Sequence, residues 1–130
     1  MIWLVRSSML ALYPSTDGLV GLDAMDVHAF LVRFRRETTR LMWTGVVVGS
    51  LLFAITPLLT VGLPVPAFLL TKAARDRHAH RVSNHRIYLL RQAVFLVKLA
   101  AGLCWGADPA IRERFALAPY PDDPGTWRVS

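Results

Sequence analysis

Thirty consecutive residues, from Leu41 to Leu70, carry no charged side chain. A helix needs about 20 apolar residues to cross the hydrocarbon core of a bilayer, so this stretch is long enough to do so. Three prolines interrupt it: Pro57, Pro64 and Pro66. A helix that starts at Leu41 and ends at Thr56 would be only about 24 Å long. The stretch therefore predicts either a helix kinked at Pro57 that continues to about Leu63, or a buried helix followed by a Pro-rich connector.

The cations on either side of this stretch assign no orientation in a membrane. Four precede it and four follow it: Arg33, Arg35, Arg36 and Arg40, then Lys72, Arg75, Arg77 and Arg81. A single span usually shows an excess of cations on its cytoplasmic side. Three arrangements stay open: a true span, a shallow dip into one leaflet, and a helix buried under a partner protein.

Composition favours a small protein that hides apolar surface from water. The chain has 130 residues, enough for one domain over 1–130. Hydrophobic residues make up 54% and charged residues 18%, whereas a soluble domain carries about 25% charged residues. The apolar N-terminus has no basic residue before its first apolar run, so no secretory signal is predicted. We expect association with the inner or cytoplasmic membrane, or with a membrane-bound complex.

The basic balance of the chain fits lipid headgroups or acidic partners better than nucleic acid. The net charge is +6 and the pI is near 10.4. No nucleic-acid recognition motif is present, and no basic face is interleaved with aromatic residues. We therefore predict no nucleic-acid partner.

The rest of the pattern predicts an all-α fold, a small helical bundle or hairpin with a Pro-rich C-terminal tail. Asp23 is expected to cap an amphipathic helix, and Asp108 followed by Pro109 marks another helix start. A polar helix is expected between Lys72 and His85, with Ser83 or Asn84 as the cap of the next helix. The predicted segments are an irregular N-terminus (1–20), amphipathic then apolar helices (23–70), a helical region (71–117) and an extended tail (118–130).

A strongly apolar helix is expected from about His85 to Trp105, and two cations interrupt it. Arg91 and Lys98 are seven residues apart, so they share a face of the helix. Two cations are costly in a helix that faces lipid. We expect this helix to pack against protein, with Arg91 and Lys98 facing water, lipid headgroups or acidic residues of a partner.

Gly45 and Gly49 form a GxxxG pair within the uncharged stretch. In a membrane helix this spacing lets another backbone approach closely. The pair is therefore a predicted helix-packing site.

The sequence carries no motif for catalysis or for a cofactor. It has no GxGxxG, no P-loop and no nucleophile elbow. Cys104 has no basic neighbour and is expected to be a small buried hydrophobic residue. His78, His80 and His85 lack the i,i+4 spacing of a helical metal site, so they are expected to be polar residues near an interface. We predict no catalytic, cofactor-binding or metal-binding residue in this chain.

Residues 74–127 resemble small helical proteins and segments that accompany flavin oxidoreductases of the glucose-methanol-choline (GMC) type. The resemblance lies in four short motifs: Arg75-Asp76-Arg77-His78, Tyr88-Leu89-Leu90-Arg91-Gln92, Val97-Lys98-Leu99-Ala100, and Trp105-Gly106-Ala107-Asp108-Pro109 with Arg112. The uncharged segment 41–70 departs from that pattern, since soluble versions would be more polar there.

The resemblance implies an accessory role in which a partner subunit holds the FAD and the catalytic base. This chain would cover apolar surface of the partner or bring it to a membrane. The residues expected to face the partner are Arg91, Lys98, Trp105, Asp108, Arg112 and Trp127. The alternative is a small integral membrane protein that serves as a structural or assembly component of another complex.

Overall fold

The fold is known from a computed structural model that describes residues 1–119 and 121. Within those residues it is all-α, as predicted, with no strand beyond an isolated bridge between Thr16 and Leu19. The α-helices are α1 (Ile2–Leu12), α2 (Val27–Glu37), α3 (Arg40–Ile55), α4 (Pro57–Val61), α5 (Lys72–Ser83), α6 (Tyr88–Ala107) and α7 (Pro109–Arg114), and two 3-10 turns span Leu22–Ala24 and Ala67–Leu69.

An antiparallel pair of helices, α3 and α6, forms the centre of the bundle. Gly45 lies against Leu96, and Gly49 lies against Ala93 and Val97. A Cβ on Gly49 would overlap the backbone of Ala93 and come within 2.9 Å of Val97 Cγ2. The close approach predicted from the glycine spacing is thus made by α6 of the same chain.

The N-terminal segment is a helix, so the prediction of an irregular N-terminus is wrong for residues 2–12. Val5 and Met9 of α1 are fully buried in one cluster with Val46 and Val97. The Ser8 hydroxyl also donates to the Ser50 carbonyl oxygen across 3.4 Å. No side chain caps α1 at its start, and short helices of this kind are stabilised mainly by tertiary packing. The sequence therefore carries no local signal for it.

The amphipathic region differs from the prediction at its caps. Asp26 caps α2 by accepting from the Ala29 amide at 2.9 Å. Asp23 lies in the preceding 3-10 turn, where its carboxylate accepts the Ser15 hydroxyl at 2.5 Å and this bond lowers its pKa. Thr39 then starts α3 by accepting from the Met42 amide at 3.2 Å.

The uncharged stretch combines both predicted arrangements, a helical segment that continues after Pro57 and an irregular Pro-rich connector. Helix α3 ends at Ile55, and Pro57 opens the separate short helix α4, which suits a proline because the first helical N–H has no partner. Gly62 ends α4 with a φ of +74°, a conformation that favours glycine. An irregular connector follows up to Thr71, whose hydroxyl accepts from the Ala74 amide and caps α5.

The C-terminal helices follow the prediction closely except at the start of α6. That helix begins at Tyr88, and its N-cap residue is Ile87, whose side chain forms no capping bond, rather than Ser83 or Asn84. Ser83 is the last residue of α5, and the Asn84 amide donates to the carbonyl oxygen of His80 at 2.9 Å. Asp108 caps α7, as predicted.

Candidate docking surface and cationic groove

One side of the α3–α6 pair is apolar and bare. Helix α1 packs against both helices, and the residues on the opposite side of the pair are exposed. We call this surface the apolar face, and it consists of Leu41, Val48, Leu51 and Ile55 on α3 with Leu89, Leu99 and Leu103 on α6. Leu41 is 84% exposed and Leu89 is 76% exposed. Large patches of exposed apolar side chains are typical of protein–protein and membrane contact surfaces.

A second exposed apolar region continues from the apolar face at the end of α3. We call it the apolar end, and it consists of Leu58, Leu59, Leu63, Val65, Phe68 and Leu69, all in α4 and the connector that follows. Trp3 adds an exposed ring, which meets Phe68 edge to face at 5.0 Å between centroids. Arg81 lies at the border, where its guanidinium donates to the Thr60 carbonyl oxygen at 2.5 Å. A cation and a tryptophan around an uncharged tip are typical of a membrane interface.

One helix of the described residues, α6, is long and apolar enough to cross a membrane. That conclusion rests on length and composition alone, and the core helix of a soluble protein would meet the same test. Within the bundle α6 contacts α1, α3, α5 and α7 and buries Leu90, Val94, Val97, Ala100, Ala101 and Cys104. The helix therefore combines the composition of a span with the position of a core helix.

The buried side chain of His78 connects α5 to the break between α3 and α4. Its Nε2 lies 2.8 Å from the carbonyl oxygen of Phe53, which can only accept, so Nε2 carries the proton. His78 Nδ1 then accepts the Thr60 hydroxyl at 2.5 Å. The ring is fully buried, and burial lowers the pKa of His78, opposed in part by the bond to Phe53. The expectation that His78 is a polar residue near an interface is therefore wrong.

Pro57 explains why the Phe53 carbonyl oxygen is free to accept from His78. In an uninterrupted helix the Phe53 carbonyl would accept from the N–H of residue 57, but that residue is Pro57 and has no N–H. The imidazole of His78 supplies the missing donor. A proline in an apolar stretch followed by a histidine in a polar helix was the available signal for this contact.

Arg91 and Lys98, the two cations of α6, lie on a shallow groove between α5 and α6. They line it with Ser83, Gln92 and Phe95, and its volume is about 220 Å³. A second groove of about 240 Å³ adjoins it and shares Ser83 and Lys98. We call the two together the cationic groove. The structure thus brings Arg91 and Lys98 together on one site, as their spacing predicted.

The other residues predicted to face a partner have bonds within the chain. Trp105 Nε1 donates to the Val20 carbonyl oxygen at 2.8 Å, and Asp108 accepts from the Ala110 and Ile111 amides. Arg112 donates to the carbonyl oxygens of Ala118 at 2.6 Å and Gly106 at 3.2 Å. These contacts hold α6, α7 and the following segment together, so a role of these residues toward a partner stays a prediction. Trp127 lies outside the described residues.

Histidine, cysteine and carboxylate side chains are dispersed across the described part of the chain. No group of three or more of them there is arranged to hold a metal ion. His80 is exposed, and His85 Nδ1 accepts from the Ile87 amide at 3.2 Å. Cys104 is a free, buried thiol in the cluster that also contains Met9 and Val97.

Comparison of this chain with family models, with curated proteins and with solved structures finds no match. The apolar face, the apolar end and the cationic groove are therefore the features of the molecule that indicate a function.

Proposed function

We propose that this chain is a non-catalytic helical accessory subunit that anchors a larger partner protein at a membrane. The observation that carries the proposal is the exposed, uncharged surface that runs from the apolar face into the apolar end. Soluble monomers of about this size rarely expose so many large apolar side chains on neighbouring surfaces, because contact of these side chains with water is unfavourable.

The two parts of this surface suit two different neighbours. The apolar face lies on regular helices, as do many protein contacts in which one apolar helix face packs on another. The apolar end is a short helix and a Pro-rich connector without charge, bordered by Arg81 and Trp3. Such a tip suits shallow insertion among lipid headgroups, with the arginine kept at the polar boundary. We therefore assign the face to the partner and the end to the membrane.

The partner that the sequence resemblance names is a flavoprotein of the GMC type. In that arrangement the partner binds FAD and carries the reaction, because a flavin enzyme needs a dedicated cofactor site. The present chain binds this partner through apolar contacts and attaches the complex to the membrane. A lipophilic substrate dissolved in the bilayer would then lie close to the enzyme that consumes it.

Affinity purification of the tagged chain from its native cells in mild detergent tests the proposal. We expect a larger protein to co-purify with a flavin absorption spectrum. The paired variant Leu99→Gln with Leu103→Gln should remove the partner and preserve binding to lipid vesicles. The pair Leu58→Gln with Leu69→Gln should have the reverse effect. A colourless eluate that contains the chain alone would overturn the accessory role.

Val32→Gln is a matched control, because Val32 is an exposed apolar residue on α2, outside both surfaces. It should change neither partner recovery nor vesicle binding. Equal losses in the control and in the test variants would show that general hydrophobicity, not these two surfaces, governs both activities.

A second candidate is a small integral membrane protein that serves as a structural component of another complex. The length and composition of α6 favour it. Protease protection of the chain in native membranes separates the two candidates. Cleavage sites on both sides of α6 that are reachable only from opposite faces of the membrane would favour the integral protein.

A further inference from the structure

The cationic groove between α5 and α6 has the chemistry of an anion site. We propose that it binds a phosphate group, carried either by a phospholipid headgroup or by a free phosphate. Arg91 contributes a guanidinium, whose fork of N–H donors matches phosphate oxygens, and Lys98 contributes a point charge. The Ser83 hydroxyl and the Gln92 amide line the same groove and add neutral donors.

Both cations are half-buried, and neither forms an ion pair within the described residues. Lys98 makes no hydrogen bond or ion pair there, and the only recorded partner of Arg91 is the ring of Tyr88, 5.6 Å from its guanidinium carbon. Asp76 lines the adjoining groove but forms no ion pair with Lys98. A bound anion would supply the opposite charge with which neither cation is paired.

The position of the groove suits a phosphate at a membrane surface. Arg91 lies in the first turn of α6, next to the exposed Ile87 and Leu89. Lys98 lies about 10.5 Å further along the helix axis. Because α3 and α6 are antiparallel, the start of α6 lies at the same end of the pair as the end of α3, from which the apolar end continues. If the apolar end is embedded, Arg91 would lie near the headgroups. The lipid source of the phosphate thus rests on the proposed function, whereas binding of free phosphate does not.

The chain offers an internal control, because Lys72 and Lys98 are its only lysines. Lys72 is exposed at the start of α5 and lies outside the groove. We would treat the protein with an amine-reactive acylating reagent and map the modified lysines by mass spectrometry. The reaction would be run in inorganic phosphate and in chloride at equal ionic strength, then with vesicles of phosphatidylcholine with and without phosphatidylglycerol.

We expect phosphate-bearing ligands to slow acylation of Lys98 at least about threefold and to leave Lys72 unchanged. Protection by inorganic phosphate assigns a free phosphate, and protection by phosphatidylglycerol vesicles alone assigns a lipid headgroup. Unprotected or equally protected lysines under every condition would overturn the proposal. Protection by inorganic phosphate without any vesicle binding would preserve this site and reject the membrane role.

Variants give an independent test of the same site. Arg91→Gln with Lys98→Gln should reduce phosphatidylglycerol-dependent vesicle binding at least about tenfold, since each cation near an anionic surface strengthens the attraction to it. Arg33→Gln with Arg36→Gln removes the same charge from exposed positions on α2. This control should lose clearly less affinity. An equal loss of vesicle affinity in both pairs would mean that general charge attraction, not the groove, governs the binding. The exchanged pair Arg91→Lys with Lys98→Arg keeps both charges in the groove and should retain most of the binding.

Discussion

His78 Nε2 donates to the carbonyl oxygen of Phe53, the acceptor that Pro57 leaves without a backbone partner. This bond and the one from the Thr60 hydroxyl to Nδ1 connect α5 to both sides of the α3–α4 break. A buried carbonyl without a donor is destabilising by about 1–3 kcal/mol. The histidine therefore makes the proline break compatible with a buried position, and it makes that break sensitive to pH.

Stability should fall as the pH drops below about 6.5, the ordinary pKa of a histidine. The folded-state pKa of His78 is lowered by burial, so in this range the unfolded chain binds a proton that the folded chain does not. The free energy of unfolding then decreases with a slope of up to about 1.4 kcal/mol per pH unit. Chemical denaturation at a series of pH values measures the slope, and His78→Gln should flatten it. His80→Gln, an exposed neighbour on the same helix, should retain it.

The role of Pro57 can be isolated with a double-mutant cycle. Pro57→Ala restores an N–H that can donate to the Phe53 carbonyl oxygen, so this carbonyl no longer depends on His78 for a donor. We expect His78→Gln to cost about 1–3 kcal/mol in the native background and about 1 kcal/mol less in the Pro57→Ala background. Equal costs in both backgrounds would mean that Pro57 and His78 act independently.

The two glycines of the GxxxG pair should differ in their tolerance to substitution. Gly49→Ala puts a methyl group into the backbone of Ala93 on α6, so we expect a loss of about 1–3 kcal/mol. Gly45→Ala meets only the end of the Leu96 side chain, which can turn away, and should cost less. Gly106→Ala enters open space and serves as the neutral control. Thermal unfolding ranks the three, and a Gly49 variant as stable as the Gly106 variant would contradict the close packing.

The cap of α7 gives a further test. Asp108→Ala removes an acceptor shared by the Ala110 and Ile111 amides, and such caps contribute about 0.5–2 kcal/mol. Asp108→Asn should restore most of the lost stability because it keeps an oxygen at the same place. If Asp108 also met a partner through its charge, the asparagine variant would regain stability without regaining the complex.

Features with a local chemical cause could be predicted from the sequence. Asp108 followed by Pro109 marked the start of α7 within one residue, and the spacing of Gly45 and Gly49 indicated a close helix contact. Arg91 and Lys98 share a site because a helical repeat of seven residues places them on one face. Each of these depends only on a few neighbouring residues.

Features that depend on distant contacts could not be predicted in the same way. Helix α1 has no cap, and its packing depends on Val46 and Val97, which lie far away in the chain. Asp23 and Asp26 are both good caps in isolation, and the Ser15 hydroxyl decides between them by engaging Asp23. The burial of His78 could be predicted only if the packing of α5 against the break at Pro57 were already known.

The position of α1 has a consequence for the order of events during synthesis. The buried cluster that contains Val5 and Met9 of α1 also contains Val97, Ala100 and Ala101 of α6. These α6 residues leave the ribosome roughly ninety residues later. Until then only earlier elements such as α2 and α3 are available to cover the apolar side of this early helix, so the part of it that α6 covers stays exposed while α6 is unmade.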